Sequence, residues 1–383
     1  MKKVHSLFTL YIIGFLFSLH TALIVYSNSS FLHQFIPESY TGLLYSAGSV
    51  VSILGLILIP KAIARFGSRA TMISLILITF SICIINIFAQ NAILILIAFC
   101  ILFAANTMFY LANDILVDQI ADPESMGATR GNYLTALNVG YVIAPTITGF
   151  IMARMGFPAL YTIAGCILVP LLFILIKSPT SKHVHISKVN IWTSLRHLYK
   201  DKDLRNIAAA NFLLQFFYAW MVIYSPIFLH DQLGIPWDSI GTIFSIMLFA
   251  FVLTQIPLGR LADKYIGEKR LLIVGFIIIG TTTSLLFFLP YFTLPLLALI
   301  LFGTRIGASC IEVLTESYFF KKVDKSEAGE MSIFRNTYPV AYIIAPIVAG
   351  GILQILPVQY LFLILGIIML FGISFIIPIR DTK

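Results

Sequence analysis

The segment LFGTRIGASCIEVLTES, Leu301 to Ser317, holds the residues of this chain best placed to do chemistry. Arg305, Ser309, Glu312 and Glu316 stand at offsets 0, 4, 7 and 11, so a helix carries them along one face. Glu312 then lies about 10 Å along the axis from Arg305, at about 1.5 Å per residue. The residues around them are apolar. A charged side chain inside a helix that crosses lipid costs at least about 2.5 to 3.5 kcal/mol on insertion scales, so each is a candidate functional group. Two chemistries fit the set. In one, a carboxyl takes a proton from one side of a membrane and releases it to the other, coupling proton flow to movement of a solute. In the other, Arg305 is permanently paired with an acid, which leaves nothing to titrate. Glu312 is the first choice as proton carrier and Asp114 the second, and Arg305 either modulates them or binds an anionic group of a solute.

A related stretch lies 199 residues earlier, LFAANTMFYLANDILVD, Leu102 to Asp118, in which Asn106 aligns with Arg305 and Asn113 with Glu312. It adds Tyr110 and the acid Asp114. Two further apolar runs carry polar stripes. One has His20 and Tyr26; the other has Asn211, Gln215 and Tyr218 at offsets 0, 4 and 7, with Tyr224 beyond. His20 is either a group that titrates near neutral pH or a hydrogen-bonded packing residue.

Other chemistry is missing from the sequence. It has no Gly-x-x-x-x-Gly-Lys-(Ser/Thr) phosphate loop, which argues against direct ATP drive. It has no His-Glu-x-x-His, Gly-x-Ser-x-Gly or paired-cysteine motif, so an enzyme, a metal site or a cofactor is not expected. Cys83, Cys100, Cys166 and Cys310 fall inside apolar runs at unrelated spacings and read as packing residues.

The elements that must position these groups are set by composition. Of 383 residues 59% are apolar and 11% charged, a membrane protein's balance rather than a soluble domain's. Twelve runs are long enough to cross a bilayer: 6–30, 40–60, 70–89, 92–118, 129–153, 157–177, 205–230, 238–258, 270–290, 295–319, 328–354 and 357–378. The basic start of the first run lacks a small-residue cleavage site, and the run reads as a retained helix.

With the N-terminus placed on one side, alternate loops on that side collect 23 of the 25 Lys and Arg. Arg154 lies opposite and Arg305 within a helix. By the positive-inside rule both termini are cytoplasmic and the span number is even, and the formal charge of +8 reflects topology rather than nucleic-acid binding.

The polar stretch from Ser178 to Asn206 divides the runs six and six. The expected organisation is an all-α membrane protein of two six-helix bundles, 1–177 and 205–383, joined by a cytoplasmic loop over 178–204. The halves repeat one another. FLHQFIPESYTGLLYS, Phe31 to Ser46, parallels FLHDQLGIPWDSIGTIFS, Phe228 to Ser245, with a two-residue gap, and YVIAPTITG at Tyr141 parallels YIIAPIVAG at Tyr342. Such halves share topology and are related by an axis along the membrane normal. Pro145 with Gly149, and Pro346 with Gly350, each set a helix breaker one turn from a small residue. They mark either a packing kink or a bend that helps one half rock against the other.

GRLADKYIGEKR, Gly259 to Arg270, resembles the signature of the major facilitator superfamily through Gly259, Leu261, Ala262, Asp263, Lys264, Gly267, Lys269 and Arg270, with one extra residue before Gly267. The equivalent first-half loop, PKAIARFGSR, keeps Arg65, Gly67 and Arg69 but has Ala64 where the family has Asp. Gly259 and Gly267 are expected to allow the turn between their helices. The resemblance implies that Asp263 latches the halves at the cytoplasmic side. It also implies that the basic residues pair with an acid at the inner end of the fourth helix of their half: Asp118 with Arg65 or Arg69, Glu316 with Lys264, Lys269 or Arg270. It further implies that the first, fourth, seventh and tenth spans line a central cavity. That would make His20, Tyr26, Asn106, Tyr110, Asn113, Gln215, Tyr218, Tyr224, Arg305 and Ser309 substrate-facing.

The function expected from this resemblance is secondary transport by alternating access, in the manner of drug/proton antiporters. The partners would be a small amphipathic solute exported across the plasma (inner) membrane, protons and the lipid bilayer, with the protein a monomer. Arg305 suits instead a carboxylate carrier, and a non-transporting sensor of the same fold is a further alternative.

Overall fold

The computed structural model describes residues 2–88, 90–120, 126–177, 191–291, 293–323, 333–334 and 336–381. Every regular element among them is helical. Lipid offers a backbone N–H or C=O no partner, and a helix satisfies both within one segment. The first half comprises α1 (Lys2–Val25), α2 (Asn28–His33), α3 (Glu38–Phe66), α4 (Ser68–Phe88), α5 (Ala92–Ile120), α6 (Met126–Arg154) and α7 (Gly156–Lys177). After it come α8 (Ile191–Lys200), α9 (Lys202–Pro226), α10 (Trp237–Leu261), α11 (Glu268–Leu285), α12 (Leu294–Lys322), α13 (Thr337–Leu353), α14 (Gln359–Phe371) and the short α15 (Ile373–Ile376).

Among the described residues eleven spans are long and apolar enough to cross a membrane. The twelfth expected span, 328–354, is represented by the shorter apolar helix α13, since 324–332 and 335 lie outside the described residues. Of the basic residues used for orientation, Lys182, Lys188, Lys325, Arg335 and Lys383 also lie outside them.

The chain divides into two compact units. One is Met1–Ile186 together with Leu229–Ser245, and the other is Ser187–Phe228 with Ile246–Lys383. The segment Leu229–Ser245 belongs in sequence to the second repeat, yet it packs with the first unit. In that unit α1 lies against α6, α3 against α5 and α4 against α7. Its core gathers Ile13, Ile59, Met72 and Tyr133, all buried, around Phe17 and Phe109, whose rings stack at 3.8 Å. Lipid tails are as apolar as these side chains, so the packing stabilises by van der Waals contact rather than by exclusion of water. In the second unit α11 packs on α12 and α14, and α9 on α13 and α12.

The repeat is visible in the backbone. Gly67 and Gly267 both have φ 84°, a conformation that favours glycine, and each ends one helix and admits the next. In the first copy Gly67 N–H donates to Ile63 O, four residues back; in the second, Gly267 N–H donates to Ala262 O, five back. The extra residue of the second loop is therefore absorbed as a π turn over Ala262–Ile266. Only Gly267 is needed for that turn. Gly259 lies inside α10, and a Cβ there would make an ordinary 3.6 Å contact with Val313.

A second π turn, Ile227–Gln232, followed by Gly234 at φ 66°, stands where the first copy has the plain helix α2. The two-residue gap between the FLH segments falls in this region. The stretch expected as loop over 178–204 is helical from Ile191 to Lys200 and again from Lys202.

Candidate functional site

In the second unit, α9 and α12 bring together residues far apart in sequence. Arg305 on α12 is 1% exposed. Its guanidinium lies 5.3 Å from the ring centre of Phe217 and 5.6 Å from that of Tyr218, both on α9. Nε and Nη1 are buried and have no hydrogen-bond partner among the described residues. Seven residues along, Glu312 Oε2 accepts from the Tyr218 hydroxyl at 3.1 Å. Tyr218 thus touches the cation with its ring face and the acid with its hydroxyl. Among the described residues Arg305 forms no ion pair with Glu312 or any other acid.

Around this trio the polar residues are held by neighbouring helices. The hydroxyls of Ser309 and of Thr254 on α10 are 2.8 Å apart. Asn211 Nδ2 donates to Thr337 Oγ1 at 2.8 Å and to Phe334 O at 3.3 Å, and Gln215 is half-buried one turn further along α9. Tyr224 is 1% exposed. Trp220 Nε1 donates to Ala345 O at 2.6 Å, the carbonyl just before Pro346, and Gly350 is buried one turn on.

The first unit is quieter. His20 is buried, with Nδ1 2.9 Å from Ala164 O, and its Nε2 has no partner among the described residues. The hydroxyls of Tyr110 and Tyr141 are 3.5 Å apart, and Asn113 Nδ2 donates to the Tyr133 hydroxyl at 3.2 Å. Asn106 Oδ1 is buried and unpartnered among the described residues, and Asp114 is half-buried.

The Leu229–Ser245 segment meets this unit where α6 carries Pro145 and Gly149. Proline at 145 leaves the Tyr141 carbonyl without its helical donor, and beside this break the Thr146 N–H donates to Ser245 Oγ at 3.1 Å. Gly149 and Gly241 touch backbone to backbone. A Cβ on Gly149 would collide with the Trp237 carbonyl, and one on Gly241 would stand 2.9 Å from Gly149 Cα. The Tyr26 ring is 5.0 Å from that of Phe244. At the same end Gln232 Nε2 donates to Glu38 Oε2 at 3.1 Å, and His33 Nδ1 lies 3.4 Å from Asp231 Oδ2.

At the opposite ends of the helices the charged loops differ. Arg65 is exposed, its guanidinium 5.2 Å from the Phe66 ring centre, and Arg69 is half-buried. The side chains of Asp118 and Asp263 lie outside the described residues. Lys264 and Glu316 are exposed. Lys269 Nζ donates to Ile379 O at 2.9 Å, and Arg270 Nε is 3.9 Å from Asp381 Oδ2.

Two acids not singled out in the sequence hold this end together. Glu268, 0% exposed, accepts from Lys321 and from Ser317 Oγ at 3.0 Å. Asp203 accepts from Lys322 Nζ at 2.7 Å and from Arg380 N–H at 3.2 Å. The available signal was an acid in the first turn of a helix, facing the positive end of its dipole.

The family model of the Major Facilitator Superfamily matches residues 10–337 and, in a second match, 207–383. An uncharacterised MFS-type transporter of Schizosaccharomyces pombe is 27% identical over 180 residues, 46% of this chain and 38% of that protein. The peptide transporter YePEPT of Yersinia enterocolitica is 28% identical over 126 residues, 32% of this chain and 24% of that one. This chain thus aligns with less than half of either relative. Among solved structures, the nucleoside transporter NupG aligns over 98% of this chain and 100% of its own with TM-score 0.78 at 14% identity. A bacterial homologue of the human lysosomal transporter Spinster aligns over 98% and 94% with TM-score 0.73, also at 14% identity. At that identity the likeness is one of fold.

Proposed function

This chain belongs to the Major Facilitator Superfamily, and we propose that it is a proton-coupled secondary transporter of a small solute, with Glu312 as the group that carries the proton. The observation that carries this reading is the partner of Glu312. Its carboxyl is held by the neutral Tyr218 hydroxyl, while Arg305 on the same helix lies against two aromatic rings. A guanidinium clamped on the acid would hold it ionised with a full opposite charge, whereas a neutral hydroxyl donor favours the ionised form less strongly and leaves the carboxyl able to exchange its proton. Asp114 is the second candidate. His20, with no acid in the contacts described, is a positioning residue between α1 and α7.

The solute is a small amphipathic compound and the direction is export, across the plasma membrane with both termini cytoplasmic and the protein a monomer. Support for an amphipathic solute comes from the aromatic character of the polar stripe, in which Phe217 and Tyr218 flank Arg305. Pro145 with Gly149, and Pro346 with Gly350, are the points about which helices bend as access alternates, and the loops at Gly67 and Gly267 form the cytoplasmic gate.

A second reading, in which the solute is an anion, is favoured by the two buried nitrogens of Arg305, Nε and Nη1, that have no acceptor among the described residues. A carboxylate accepts charge-assisted hydrogen bonds from a guanidinium at such positions. A ligand-stabilisation screen on the purified protein, followed by flux in liposomes under an imposed pH gradient, tests both. Lipophilic compounds that stabilise the protein and move with the gradient support the first reading. Carboxylates that do so, and lose both effects in Arg305→Ala, replace it with the second. Binding without flux of any stabilising compound contradicts transport.

A further inference from the structure

Helix α8, Ile191–Lys200, reads IWTSLRHLYK, and its apolar residues Ile191, Trp192, Leu195, Leu198 and Tyr199 recur at helical spacing with Arg196, His197 and Lys200 between them. Ten residues are too few for a stable isolated helix in water, so such a segment holds its shape against a surface. The protein supplies some of that surface: Leu198 is 8% exposed. Tyr199, next on the same apolar side, is 69% exposed.

The charges around it are unbalanced. Arg196, Lys200 and Lys202 are exposed, and Arg205 is half-buried with its guanidinium 5.3 Å from the Tyr199 ring centre. The two nearby acids are engaged within the protein. Asp201 Oδ1 caps α9 by accepting from the N–H groups of Asp203 and Leu204 at 2.8 and 3.0 Å, and Asp203 is taken by Lys322 and the Arg380 N–H. Among the described residues none of the four cations pairs with a carboxylate. One residue, Asp201, separates α8 from α9, whose span begins at Lys202. Connectivity therefore places α8 at the level where the chain enters the bilayer.

We propose that α8 is a docking strip for anionic phospholipid headgroups of the leaflet at that end of the second unit. Arg196, Lys200 and Lys202 meet the headgroup charge, and Tyr199, braced by Arg205, sits at the boundary between headgroup and acyl chain. An aromatic and basic pattern of this kind suits the interface, where each surface cation adds attraction to an anionic leaflet.

The test uses the whole protein in phosphatidylcholine vesicles that also contain phosphatidylglycerol, with bromine on the chains of one lipid or the other. Trp220 and Trp237 are 1% and 7% exposed, so the quenching lost in Trp192→Phe reports on α8. The expected result is stronger Trp192 quenching by brominated phosphatidylglycerol than by brominated phosphatidylcholine at equal content. Arg196→Gln with Lys200→Gln should weaken that preference roughly 30-fold, the worth of two surface cations. Arg196→Lys with Lys200→Arg should keep it. Equal quenching by the two lipids, or a preference untouched in the glutamine pair, would overturn the proposal; the first result would turn the cations toward an acidic protein surface.

Discussion

Glu312 and Tyr218 define the smallest scale at which the function can be attacked. Replacing Tyr218 by Phe removes one hydroxyl donor, worth about 1.5 to 3 kcal/mol when its acceptor is charged and less when the acid is protonated. The bond therefore discriminates between protonation states. Tyr218→Phe is expected to leave solute binding in place and to move the pH at which flux is half-maximal, measured as initial rates across a pH series. An unchanged profile would remove Tyr218 from the proton step. Arg305 answers to a different substitution. Arg305→Lys keeps the charge but loses the planar fork that lies over Phe217 and Tyr218, so an anionic solute should lose at least tenfold in affinity by calorimetry, whereas a neutral solute should be little affected. The spacing of Arg305 and Glu312 along one helix was legible in the sequence. That Tyr218 would donate to Glu312 was not, because it depends on how α9 crosses α12, and helical periodicity carries no information about a neighbour's register.

Elements carry the next two predictions. Glu38 stands just before the span Tyr40–Phe66. Burial pushes its carboxyl above the ordinary range, with the Gln232 amide and then His33 drawing it some of the way back. The folded state therefore binds this proton more tightly than the unfolded one. Its contribution to stability is complete below the ordinary carboxyl range and is lost as pH rises through the elevated folded value. Glu38→Gln mimics the neutral form and should raise the thermal midpoint at neutral pH and above, with little effect well below the carboxyl range; a pH series of melting curves checks the sign. At the other ends of the helices, Lys321→Ala removes the cation facing the fully buried Glu268 and should cost about 3 kcal/mol, the lower end for a buried pair because Lys321 is itself 44% exposed. Chemical unfolding in detergent, compared with the exposed Lys264→Ala as control, reads that difference.

Much of this level was readable in advance. Spans, their order and the Gly267 turn follow from apolar run length and from the loop motif, whereas Gly259, expected in the same turn, lies inside α10. The π turns at Ile227–Gln232 and Ala262–Ile266 were announced only as misaligned residues, because an insertion in a repeat does not say how the backbone absorbs it. Helix α8 was hidden by reading a polar stretch as loop, though its apolar residues recur at helical spacing.

Across the whole molecule, the duplicated fold supplies two copies of one scaffold on which polar residues differ: Asn106 where Arg305 stands in the other copy, and Asn113 where Glu312 stands. Arg305 and Glu312 therefore both stand in one copy, without charged counterparts at the aligned positions of the other. The proposed mechanism assigns solute binding and proton carriage to different side chains, and on it exchange should persist when the proton step is removed while only the uphill component is lost. The Gly149 and Gly241 contact offers a separate check on the scaffold. Gly149→Leu must push apart backbones that are in van der Waals contact, costing about 1 to 3 kcal/mol of stability as overpacking, which thermal unfolding measures.

The most direct test of proton coupling uses Glu312→Gln in liposomes, with a solute found by the stabilisation screen and a pH gradient across the membrane. Wild type should move that solute against its own gradient, while the variant should still bind it and exchange it at equilibrium yet fail to concentrate it. Concentration by Glu312→Gln at the wild-type level would contradict the central role assigned to this carboxyl.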